Sequence, residues 1–153
     1  MPPSPAISCF VGDIESGLMK MMLIGLGKHA GAKIYHRAIL DYSFGQIVRS
    51  VGRQVLKQCS IVAGVALVEN SYDETARIAA VAPEEFEDRE KELLVLAKEW
   101  MPRLLLREVD VLLIDKIGKN ISGSGLDTNV AGRKFSDSKV GGEEMANVRR
   151  IIL

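Results

Sequence analysis

VDVLLID, residues 109–115, is the stretch that decides the class of fold. Its apolar, partly β-branched run closes on an aspartate and reads as a strand. Behind it comes KIGKNISGSGLDTNVAGRK, residues 116–134, which is polar, glycine-rich and without hydrophobic period. Loops of that kind sit at the C-terminal ends of strands in α/β folds, where ligands bind. Working upstream, Pro83 suits the first turn of a helix, Glu84 and Glu85 suit its positive end, and Pro102 stops it. Phe86, Leu93, Ala97 and Trp100 line one face of that helix. Its charges, including the spaced pairs Glu85–Arg89 and Glu87–Lys91, read as a solvated face.

Further upstream, IVAGVALVE, residues 61–69, reads as a buried strand, with a second short one at Ala76–Val81. Ser43 and Gln46 form a capping box, opening a helix to about Lys57 with Ile47, Val48, Val51 and Val55 on one face. Residues 32–42 place Ile34, Tyr35, Ala38, Ile39 and Tyr42 at helical spacing. LMKMMLIGL, residues 18–26, is a compact apolar run that reads as a buried strand or a packed turn entering a helix. Downstream, VRRIIL at 148–153 begins another strand, as in an interrupted fold. Strands alternating with helices predict α/β: mixed strands and helices, an incomplete portion of a two-domain fold, with pieces at 1–105 and 106–153.

Twenty basic residues balance twenty acidic ones. That balance gives no sign of a nucleic-acid or anionic-membrane partner. Cys9 and Cys59 lie far apart with no metal-ligand spacing and read as reduced thiols. MPPSPAISC lacks the pattern of a signal peptide, and no apolar run is long enough to span a bilayer, so a cytoplasmic setting is the expectation.

Three segments could carry chemistry. In IESGLMK, residues 14–20, Lys20 ends an apolar glycine-containing turn. There it is either desolvated and reactive, or packed along its stem with the head in water. In GLGKHAGAKIYH, residues 25–36, Gly25 and Gly27 could open an anion-binding turn, although the spacing to Gly31 does not fit a dinucleotide fingerprint. His29 and His36 are the two histidines, too few for a protein-only zinc site without carboxylates. In the loop after VDVLLID, Lys116, Lys119 and Arg133 could meet an anion.

Taken together, IESGLMKMMLIGLGKHAGAKIYHRA (14–38), ALVENSYDETARIAAV (66–81), WMPRL (100–104) and DVLLIDKIGKNISGSGLDTNVAGR (110–133) resemble the nickel-pincer-dependent lactate racemase family. The resemblance implies interconversion of the enantiomers of a small 2-hydroxy acid, with a nickel pincer nucleotide as cofactor. By the same resemblance Lys20 matches the lysine that tethers the cofactor. His36, sixteen positions later, matches a nickel-side histidine, and Lys119 matches more loosely a lysine for the substrate carboxylate. PAISCF, residues 5–10, departs from the family, whose members carry a histidine there; Ile7 stands at about that position. The chain thus has residues for tethering and ligation but lacks the acid–base histidines, which implies an inactive piece, self-associating or completed by a partner. The alternatives are a non-catalytic nucleotide- or anion-binding module, or a truncated gene product.

Overall fold

The computed structural model describes residues 12–14, 16–38, 40–121, 125–131 and 146–153. The protein is mixed α/β and divides into two compact units, Phe10–Met101 and a second one within Pro102–Leu153.

The larger unit opens with a short helix α1 (Leu18–Lys20) that runs directly into a π-helical segment, Met21–Leu26. The strand reading of LMKMMLIGL is therefore wrong. Met and Leu favour helix, and the buried positions Met19, Met22 and Leu23 recur at i, i+3 and i+4 while Met21 and Leu26 are exposed. The chain then turns at Lys28, whose φ of 34° lies in the left-handed region, into α2 (Lys28–Ala38). α2 starts and stops earlier than its apolar spacing suggests. Tyr35 is buried, but Ile34 and Tyr42 are exposed.

The Ser43–Gln46 capping box forms as expected, each side chain meeting the other's backbone N–H, and opens α3 (Phe44–Gln58). β1 (Gly64–Glu69) and β2 (Thr75–Val81) pair antiparallel from Gly64↔Val81 to Glu69↔Thr75, with an irregularity at Val68/Glu69. Asn70 holds the turn between them, its side-chain oxygen accepting from the N–H groups of Tyr72 (2.9 Å) and Glu74 (3.1 Å). β1 is not buried on both faces as IVAGVALVE suggests: Val65 and Leu67 are exposed on the side opposite Val68. A 3₁₀ turn at Pro83–Glu85 leads into α4 (Phe86–Trp100). The Glu87–Lys91 pair forms at 3.6 Å, whereas Arg89 pairs with Glu92.

α1 lies where α3, α4 and β1 converge. The core is built there from Ile14, Met19, Met22, Leu23, Tyr35, Phe44, Ile47, Val48, Val81 and Phe86. In the second unit β3 (Glu108–Leu113) and β4 (Asn147–Ile152) pair parallel, with Val148 fully buried. A one-turn helix α5 (Thr128–Ala131) lies between them in sequence.

The turn at Lys28 folds α2 back so closely that a Cβ on Gly31 would lie 2.1 Å from the Leu23 carbonyl oxygen. Backbone cannot yield there as a flexible side chain could. Gly31→Ala is expected to destabilise the unit by roughly 1–3 kcal/mol or more, the usual range for overpacking. Chemical denaturation of the two proteins measures it.

Candidate functional site

The site is organised by the first turn of α1. Gly17 occupies the N-cap with φ 117° and ψ −157°, a conformation open to glycine, and offers no side chain to the free N–H groups above it. Glu90, on α4, supplies the missing acceptor: its Oε2 takes the Met19 N–H at 2.7 Å. This is an N-cap bond made from 71 residues away. The absence of a Cβ on Gly17 makes it possible, since one would lie 2.9 Å from Glu90 Cδ and 3.0 Å from Oε2.

Lys20 follows one residue after Met19. It is only 7% exposed, and its Nζ lies 6.0 Å from the centre of the Phe44 ring. Most of the Lys20 side chain is thus withdrawn from water. Desolvation pulls its pKa below the ordinary lysine value, and the neighbouring Glu90 charge pushes back more weakly. Glu90 is 5% exposed, and its Oε1 is buried with no hydrogen-bond partner among the described residues. Burial raises its pKa to about 7, against the lowering influence of the Met19 N–H, Arg49 and Lys20; Glu87 adds to the rise.

Arg49, from α3, is itself engaged. It donates to Glu87 at 2.7 Å and pairs with Asp13, while Arg53 meets Glu87 at 2.8 Å. This network fastens the residues before α1, α3 and α4 together on the side facing solvent. It leaves Glu90 without a direct cationic partner among the described residues.

His36 is exposed on α2, in contact with the buried Tyr35 ring at 5.4 Å between centroids. Tyr35 meets Phe44 edge-on at 5.7 Å, and Phe44 faces Lys20. Lys20 and His36 thus belong to one cluster but are separated by two aromatic rings. His29 is helical and exposed, on nearly the same face of α2 as His36. Seven residues of helix separate the two by about 10 Å, too far to share a metal ion.

Gly25 and Gly27 lie at the end of the π-helical segment rather than after a strand. A Cβ at Gly27 would come within 2.3 Å of the Leu23 oxygen, and one at Gly25 would meet the Met21 methyl. Close packing accounts for Gly27. Lys116 and Lys119 are exposed behind β3 in the second unit, and Arg133 lies outside the described residues. Glu90 went unnoticed in the sequence. Its spacing from Phe86 and Leu93, at i+4 and i−3, was the available signal that it faces inward.

Lys20 fits a covalent attachment point, because a desolvated amine is deprotonated more readily and its nitrogen is then nucleophilic. No three His, Cys, Asp or Glu side chains converge on a metal site among the described residues. Also among them, no helix is long and apolar enough to cross a membrane. Comparison with protein-family models, with curated proteins and with solved structures returns no match.

The pH dependence follows from Glu90. Its folded-state pKa is raised from 4.5 to about 7, so the folded protein binds more protons than the unfolded chain between those values. The Glu90 contribution is complete below pH 4.5 and is lost as pH rises through 7. Unfolding free energy is expected to fall with rising pH across that window relative to Glu90→Gln, whose curve lacks this component. Denaturant titrations of both proteins at several pH values check it.

Proposed function

We propose that this chain is a racemase-like or epimerase-like protein for a small 2-hydroxy acid, with Lys20 as the covalent attachment point of a nickel pincer nucleotide. The observation that carries the reading is the burial of Lys20 between Phe44 and the Glu90 region, one residue past the N–H that Glu90 caps. An ordinary surface lysine keeps its proton until high pH, and this one is pulled the other way.

When bound, the cofactor would supply the group that takes up and returns the hydride of the substrate. The residues of the chain hold and orient. Lys20 fixes one end of the cofactor, and Phe44 and Tyr35 wall the cluster between Lys20 and His36. His36 offers an imidazole, a good nickel donor, to a group that brings its own pincer donors. A converging set of three protein ligands is then unnecessary. Lys119, which the resemblance matches to a lysine for the substrate carboxylate, is an exposed ammonium of the second unit.

Two histidines, one assigned to the metal, do not provide proton transfer on both faces of a substrate carbon. Attachment is therefore a better test than turnover. Protein produced together with cofactor-building enzymes is expected to show a covalent mass increase on the peptide containing Lys20, lost in Lys20→Ala. An unmodified Lys20, in cells where a known acceptor protein becomes loaded, overturns the proposal.

His36→Ala is expected to reduce nickel retained by the loaded protein several-fold while His29→Ala changes it little. Both side chains are exposed, so neither substitution should disturb folding. Metal analysis after gel filtration compares them, and equal losses from the two variants would remove His36 from the site.

A further inference from the structure

Resting on the reading of Lys20 as an attachment point, we propose that Glu90 is its positioning residue: the carboxylate holds the Gly17–Lys20 turn in place and its charge acts on the amine that this turn presents. Three observations meet here. Glu90 Oε2 is fixed on the Met19 N–H at 2.7 Å, which places the carboxylate beside the turn that presents Lys20. Oε1 is buried and has no partner among the described residues. Gly17, by having no Cβ, leaves the room in which that carboxyl group sits.

A carboxyl group needed only as a cap would use one oxygen and leave the other in water. Here the second oxygen is kept from water in the same buried region as a lysine, and it is available to receive a proton. The charged groups that face Glu90 are Lys20 from α1, Arg49 from α3 and Glu87 from its own helix. Arg49 is already committed to Asp13 and Glu87. Lys20 is the cationic neighbour that forms no ion pair among the described residues.

The reaction this arrangement serves is acylation of the amine. The Lys20 nitrogen lone pair forms a C–N bond to an activated acyl carbon. The bond from that carbon to its leaving group breaks, and the leaving group departs with the electron pair. The proton lost from nitrogen passes to solvent water or a buffer base. With acetic anhydride as the acyl donor the products are the acetamide of Lys20 and acetate, so the chemistry needs no nickel and no nucleotide.

The test measures the rate of Lys20 acetylation by trace acetic anhydride against pH on the intact protein, using peptide mass spectrometry. Glu90→Gln keeps an oxygen for the Met19 N–H but removes the charge that favours the ammonium. The midpoint for Lys20 should move to lower pH by roughly half a unit or more, about threefold in rate below the midpoint. An unchanged midpoint in a folded Glu90→Gln protein overturns the proposal and leaves Glu90 a cap.

Should that variant not fold, the reciprocal measurement decides, because the influence of two groups on each other's protonation is equal. In Lys20→Met the Glu90 carboxyl, followed by its ¹³C resonance, should titrate at higher pH than in the wild type. Identical titrations overturn the proposal. A shifted acetylation profile without a cofactor adduct in cells would remove the attachment reading while leaving the coupling of Glu90 to Lys20 established.

Discussion

Burying the Glu90 carboxyl group is the constraint on which the larger unit is arranged. A carboxylate withdrawn from water costs free energy unless it is hydrogen-bonded, and among the described residues only one of the two Glu90 oxygens finds a donor. The structure offsets part of that cost with a free N–H at a helix start, where negative charge is favoured. Protonation near neutrality offsets more. The same carboxyl then dictates what surrounds it: a glycine at position 17, a helix turn at 18–20, and α4 lying against α1.

The apolar residues carry this geometry from either side. Leu18 and Phe86 close over Gly64 at the start of β1, while Met19 and Met22 reach toward Gly52 on α3. Methionine suits that position, since its flexible thioether adapts to the irregular gap a π-helical segment leaves. Arg49 clamps the solvent side through Asp13 and Glu87. The buried acid is thus enclosed by packing on one side and by an ion-pair network on the other. Neither supplies its second oxygen with a donor.

Much of this fold was legible because it is local. The Ser43–Gln46 box, the Pro83 start and the VDVLLID strand each depend on residues within a few positions of one another, and each forms. The LMKMMLIGL run was ambiguous because a short apolar stretch has no polar residues to mark a period, and its helix is set by what α3, α4 and β1 press against it. Glu90 was hidden for a different reason. It lies in EEFEDREKE, where the surrounding charges describe a solvated face, and only its register with Phe86 and Leu93 sets it apart. The desolvation of Lys20 could be anticipated from its apolar context, but the group responsible for moderating it could not, being seventy residues away in sequence.

Gly17 and Lys20 are therefore coupled through a residue that belongs to neither of their elements. Any side chain at position 17 would meet the Glu90 carboxyl group within about 3 Å, and the flexible end of Glu90 would have to yield. Its bond to Met19 would be lost, and with it the cap on the turn that carries the lysine. Lys20 would then lose both the carboxyl that moderates its desolvation and the rigid placement of its backbone. Gly17 thus shapes Lys20 without touching it: the space it leaves lets a distant acid reach the helix, and the charge of that acid opposes part of what burial does to the amine.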